Sequence, residues 1–178
     1  HLCFDFAPDI AVFAKGMSNG YPMAAIIGRD DVMESAQETF ISSTYWTERI
    51  GPVAALATIN RLEESQAWKR LALIGTAVKK IWTESSARHN VTITVSGIAP
   101  LVHFSFSHDR ALVLKTLFTQ LMLDKNFLAT TAFYASLAHT EEVLEQYRLA
   151  VDEAFQFIAQ AMTDGDPEQY LKGPQCHS

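Results

Sequence analysis

Cysteine is scarce: Cys3 and Cys176 stand near opposite ends of a chain of 178 residues, with no paired spacing. That excludes a disulfide framework and a cysteine-based zinc finger, and reads as free thiols in a reducing cytosol. Long apolar runs are missing as well. None approaches the roughly 20 residues that a membrane-spanning helix needs, and no signal-peptide pattern opens the chain, so a cytoplasmic protein is expected. Runs of positive charge are also absent. The 14 Lys and Arg are interspersed with 20 Asp and Glu for a formal charge of −6, which leaves no basic patch for reading nucleic-acid phosphates. There is no internal repeat and no low-complexity tract.

What is present is a globular composition. Hydrophobic residues make up 48% of the chain, enough to bury a sizeable core in one domain or somewhat more. The chain opens on His1 and an apolar strand is already under way at Ile10, so we read it as part of a longer polypeptide.

Ile10 to Ala14 reads as a short buried strand that ends in Lys15. Gly16 to Pro22 has turn chemistry, and Met23 to Ile27 is a second apolar run that Gly28 stops and that can pair with the first. Arg29 to Gln37 predicts a short helix, and "TFISSTYWTERIGP" an extended loop. Pro52 suits the first turn of a helix, here one running to about Ser65. Leu71, Ile74, Val78, Ile81 and Trp82 keep helical spacing over residues 68–85. Val91, Ile93 and Val95, then Val102, Phe104 and Phe106, alternate as half-buried strands do. Ser107 or Asp109 is expected to cap a helix from Arg110 to Asp124, and "FLATTAFYAS" to give a further strand. Thr140 predicts the cap of a long last helix, with Glu141 and Glu142 where the helix dipole favours acids. Its apolar stripe is Val143, Tyr147, Val151, Ala154, Ile158 and Met162. Beyond Asp164 a frayed, polar tail is expected.

Lys15 carries the chemistry. A free lysine has a pKa of about 10.4 and is a poor nucleophile while protonated. Withdrawal from water disfavours an ammonium, and the end of an apolar strand offers such withdrawal. A neutral amine can form a Schiff base with a carbonyl and then move protons. Gly16 and Gly20 would let a flat ring approach the backbone. A lysine that simply snorkels from a strand end fits the same local pattern. Elsewhere, His103, His108 and His139 match no helical His pair or finger spacing, so no metal site is expected. Arg49, in the hydroxyl-rich loop, can clamp a phosphate or a carboxylate bidentately, and Glu48 beside it is an equally good partner. Arg88, Arg110 and Arg148 fall where helices expose charge.

The segment "PDIAVFAKGMSNGYPMAAIIGR" resembles the lysine region of the class III (ω-type) aminotransferases, through Pro8-Asp9, Lys15, Gly16, Gly20, Pro22 and Ala24-Ala25. Within that family it looks nearest to glutamate-1-semialdehyde aminomutase and its relatives. "TERIGPVAALATI" is similar to the family's threonine loop and following helix, although Ile50-Gly51 stands where the family has Gly-Asn. "APLVHFSFSHDRALVLKTLFTQLMLDKNFLA" and "SLAHTEEVLEQYRLAVDEAF" resemble its C-terminal domain. The resemblance implies an α/β fold, that of the fold-type I transferases dependent on pyridoxal 5'-phosphate. Residues 1–65 would be the C-terminal remainder of the large cofactor domain, 66–163 a small α+β domain and 164–178 a flexible tail.

The resemblance also implies that Lys15 is the Schiff-base lysine, both catalytic and cofactor-binding. A loop threonine would hold the cofactor phosphate of a neighbouring subunit, and hence a homodimer is expected. Spacing to Pro52 selects Thr47, while the "STY" wording selects Thr44; we prefer Thr47 because spacing fixes geometry. Backbone N–H groups at the following helix start would add to a phosphate site. The implied reaction is amino transfer with an amine or amino-acid substrate. A 2,1-aminomutase shift and a non-catalytic scaffold are the alternatives. The family's aspartate for the cofactor ring, its phosphate turn and its stacking aromatic precede the lysine by more than this sequence reaches. The 178 residues alone are therefore expected not to turn over.

Overall fold

The computed structural model describes residues 4–177, so Cys3, read above as a free thiol, lies outside the described residues. Cys176 is a free, half-buried thiol. The chain divides into two compact units, His1–Gln66 and Ala67–Ser178.

In the first unit β1 (Ile10–Phe13) and β2 (Ala25–Gly28) pair antiparallel, with Ile10 opposite Gly28 and Phe13 opposite Ala25. Arg29 clamps the open end of this ribbon. Its guanidinium binds the Asp9 carboxylate at 2.8 Å and its N–H donates to the Asp9 carbonyl at 3.0 Å. A short helix α1 (Asp30–Met33) runs on into a 3-10 turn, Glu34–Glu38. A loop then leads to α2 (Ile50–Ser65), with Pro52 in its first turn as expected. The expected burial of β1 does not hold: Ile10 is 49% and Val12 65% exposed. A two-stranded ribbon has two faces and needs other layers to cover them. Among the described residues of this unit, only Ser18, Gly51 and Ala55 are buried.

The second unit runs α3 (Ala67–His89), β3 (Ile93–Ile98), β4 (Leu101–Phe106), α4 (Ala111–Asp124), β5 (Ala132–Tyr134) and α5 (Glu141–Thr163). The three strands form an antiparallel sheet in the order β3-β4-β5. On β4, Val102, Phe104 and Phe106 are buried while Leu101, His103 and Ser105 face out, because successive side chains of a strand alternate faces. The buried three pack into a core with Trp82 of α3, Leu117 and Phe118 of α4, and Val151, Phe155 and Ile158 of α5. Phe104 is central, with edge-on contacts to Trp82 at 4.8 Å and to Phe106 and Phe118 at 5.3 Å, the arrangement that ring quadrupoles favour. This is the expected two-layer α+β arrangement.

Helix α5 meets both α3 and α4. Its buried stripe is therefore wider than the spacing suggests, adding Ala150, Phe155 and Ala161, while Val143 and Met162 are only half-buried. Gly75 sits inside α3, where glycine costs about 1 kcal/mol relative to alanine. The turn between β3 and β4 explains it, since a Cβ at Gly75 would lie 1.5 Å from the Ala99 carbonyl oxygen.

The Thr140 hydroxyl accepts the Val143 N–H at 3.3 Å, as the sequence predicts. The start of α4 differs: neither Ser107 nor Asp109 caps it, and His108 Nδ1 accepts the Arg110 N–H at 3.0 Å instead. The stretch after Asp164 is tied down where the sequence suggests a loose tail. Pro167 is buried, the Gln120 side chain bonds the Tyr170 carbonyl and the Lys172 N–H, Lys172 Nζ reaches Asp124 at 2.7 Å, and the Cys176 N–H reaches the Thr116 hydroxyl at 2.9 Å. Thr116, Gln120 and Asp124 form a four-residue-spaced polar row on α4 that receives the segment. No helix among the described residues is long and apolar enough to cross a membrane.

Candidate active site

Lys15 leaves β1 in the left-handed region, with φ of 52°. That is uncommon for a residue with a Cβ and costs on the order of 1 kcal/mol. The following turn holds it there. The Met17 N–H donates to the Ala14 carbonyl and the Asn19 N–H to the Gly16 carbonyl, both at 3.2 Å. Buried Ser18 closes the turn from inside by donating its hydroxyl to the Tyr21 carbonyl. Gly20, with φ of 107°, completes the reversal, and a Cβ on it or on Gly16 would meet nothing within 4 Å. The outer face of the turn is open to a flat group, as the sequence reading requires. Lys15 itself is exposed rather than withdrawn from water, for the reason that exposes β1. Its amine has no acidic partner among the described residues.

The turn rests on the start of α2. Gly51 is buried there, and a Cβ on it would come within 3.1 Å of the Pro22 carbonyl oxygen and 3.4 Å of Met23. Gly51, at the departure from the family's Gly-Asn, is thus what lets α2 approach the lysine turn. The structure brings the lysine turn and the threonine loop into one unit.

Within the loop, the Glu48 N–H donates to the Tyr45 carbonyl at 3.0 Å, so Tyr45 to Glu48 is a closed turn. Thr47 is its third residue and Thr44 immediately precedes it. Both are exposed, and neither hydroxyl has a partner among the described residues. The amides expected to serve a phosphate at the helix start are occupied. Glu48 turns its carboxylate onto the N–H groups of Ile50 and of Gly51, the latter at 3.2 Å. An acid at the positive end of a helix satisfies donors that lack intrahelical partners. Sequence reasoning missed this role because Glu48 lies before the capping position Arg49, outside the first turn where acids mark a helix start. Glu48 is therefore not the partner of Arg49.

The other charged candidates serve the second unit. Arg88 binds Asp152 at 2.5 Å, Arg110 binds Glu168 at 2.7 Å, and Arg148 binds Glu145 at 2.6 Å. The Arg148 hydrogen bond holds Glu145 below the usual carboxylate range. His103 pairs with the Ser96 hydroxyl at 2.8 Å, and His139 Nδ1 accepts the Ser136 N–H at 3.0 Å while its ring lies tilted against Phe133. No group of three His, Cys, Asp or Glu side chains among the described residues is placed to hold a metal ion.

Residues 1–132 match the aminotransferase class-III family. The chain is 31% identical over 161 residues to 3-aminobutyryl-CoA aminotransferase of Cloacimonas acidaminovorans, covering 85% of this chain and 38% of that protein. It is 28% identical over 171 residues to glutamate-1-semialdehyde 2,1-aminomutase of Nitrosopumilus maritimus, covering 83% and 40%. The fold superposes on the FumI protein of Sphingopyxis sp. MTA144, solved in its pyridoxal-phosphate internal aldimine form, with a TM-score of 0.81 at 22% identity over 91% of this chain and 40% of that one. The chain spans about two fifths of the length of the relatives it matches. By family match and by fold, it belongs to the class-III aminotransferases.

Proposed function

We propose that the polypeptide carrying this chain transfers amino groups with pyridoxal 5'-phosphate as cofactor, and that Lys15 is its catalytic and cofactor-binding lysine. The observation that carries the proposal is the Lys15 backbone, held left-handed by a turn closed from inside by Ser18, with no acidic partner for the amine among the described residues. Strain maintained by surrounding bonds is a mark of functional positions. The cofactor, when bound, supplies the electron sink for the substrate carbon. Lys15 Nζ would hold the cofactor, and its amine, once free and neutral, would accept and return a proton at the substrate carbon.

The Thr47 hydroxyl is our choice for the cofactor phosphate. It has no partner among the described residues and stands on a turn that Glu48 closes. Because such a loop serves a neighbouring copy in the family it resembles, the assembly we propose is a homodimer. The substrate is an amine or amino acid. A relative 31% identical to the chain is named as a 3-aminobutyryl-CoA aminotransferase, and we read this chain as an aminotransferase too.

In the complete polypeptide, Lys15→Ala should abolish the visible absorption of lysine-bound cofactor together with amine transfer to a 2-oxo acid. Retention of both would reject the assignment. Thr47→Ala should raise the cofactor dissociation constant about tenfold, in keeping with one lost hydrogen bond to a charged group. The same loss in Thr44→Ala, with Thr47→Ala unchanged, would move the phosphate contact to Thr44. A product whose amine has shifted within one molecule, with no 2-oxo acid consumed, would replace transferase by aminomutase.

A further inference from the structure

We infer that Arg49 is an anion-recognising residue of the candidate site, and that Glu48 is what leaves it free for that role; the inference rests on the reading of Lys15 given above. The chain has seven arginines. Six are ion-paired: Arg29 with Asp9, Arg61 with Glu64, Arg70 with Glu141, Arg88 with Asp152, Arg110 with Glu168, and Arg148 with Glu145. Arg49 alone has no acidic partner among the described residues. In a chain carrying 20 acids against 14 lysines and arginines, a bare guanidinium is out of pattern.

Its obvious partner is next to it in sequence and is committed elsewhere. Both carboxylate oxygens of Glu48 are used, one on the Ile50 N–H and one on the Gly51 N–H. The same arrangement fixes the Arg49 backbone. Arg49 is the residue immediately before α2, and its carbonyl accepts the Val53 N–H at 3.0 Å. The guanidinium thus starts from an anchored position two residues beyond Thr47, on the loop whose helix packs against the lysine turn. Among the described residues of the first unit, Arg29 and Arg61 are paired, and the lysine and arginine without an acid are Lys15 and Arg49. A planar fork of donors matches a carboxylate or a phosphate, and a lysine does not reproduce that match.

The anion has two possible sources, the phosphate of the cofactor or a carboxylate on the substrate. Both are tested on the complete protein with Arg49→Ala and Arg49→Lys, stripped of cofactor for the first arm and loaded with it for the second. The first arm compares dissociation constants for pyridoxal 5'-phosphate and pyridoxal. The second compares the rate at which 3-aminobutyrate and isopropylamine bleach the visible band of lysine-bound cofactor. Arg49→Ala should weaken the anionic member of one pair at least tenfold and leave its uncharged counterpart within about twofold. Arg49→Lys should recover part of the loss. Discrimination in the first arm assigns the phosphate, and in the second the carboxylate. Equal effects on both members of both pairs, or no effect, overturn the inference while leaving Lys15 untouched. A wild-type protein that never forms the visible band overturns the Lys15 reading, and this inference with it.

Discussion

Trp82 Nε1 donates a hydrogen bond to the Tyr147 hydroxyl at 2.9 Å, joining α3 to α5 inside the core of the second unit. Both residues are buried, and burial pushes the Tyr147 phenol well above its ordinary range. The pair lies beside the Phe104 cluster, where water cannot substitute for a lost partner. Tyr147→Phe keeps the ring and strands the indole N–H, so it should cost about 1–3 kcal/mol in a urea melt. Trp82→Phe removes the donor as well as volume. With the donor already gone, a second change to Tyr147→Phe should cost less than it does alone. A double-mutant cycle that proves additive would show that the bond contributes nothing beyond packing.

Asp152 gathers three donors on one oxygen: the Ser85 hydroxyl at 3.1 Å, Arg88 at 2.5 Å and His89 at 3.2 Å. Burial works to raise its pKa. The Ser85 and His89 hydrogen bonds and the Arg88 charge outweigh that and hold it below the ordinary aspartate value. A carboxyl more acidic in the folded than in the unfolded chain adds stability above its unfolded pKa, and loses it as pH falls through the folded one. The second unit should therefore weaken on acidification from about pH 5 downward, and Asp152→Asn should flatten that slope while lowering stability at neutral pH. Chemical denaturation across the acid range measures both, and parallel curves for the two proteins would remove Asp152 from the account.

Much of the second unit is legible in the sequence because its cues are local. The alternation of Val102, Phe104 and Phe106 is a strand with one wet face, and Thr140 before two glutamates is a helix start. What stays hidden depends on neighbours distant in sequence. Ile10 and Val12 have the composition of a buried strand, but burial requires a covering layer, and apolar composition does not provide one. Thr116, Gln120 and Asp124 look like a solvent face until residues 170–176 lie along it. At the site, Lys15 and its glycines are legible as a turn carrying an amine. The use of Glu48 is not, because an acid beside an arginine promises an ion pair, whereas the geometry of the turn offers it two amides first.

That choice by Glu48 has a measurable consequence. The start of α2 is an intrinsic anion site, since its first N–H groups lack intrahelical acceptors and lie at the positive end of the helix dipole. In the wild type the Glu48 carboxylate fills it. Glu48→Ala should lower stability by about 1 kcal/mol, the usual cost of losing a helix cap, and should also vacate the two amides beside Arg49. Inorganic phosphate should then raise the melting temperature of Glu48→Ala more than that of the wild type. Glu48→Gln retains one acceptor and should fall between them. An identical phosphate response in all three proteins would show that the carboxylate is not what closes the helix start, and that the amides of Ile50 and Gly51 are open to an external anion after all.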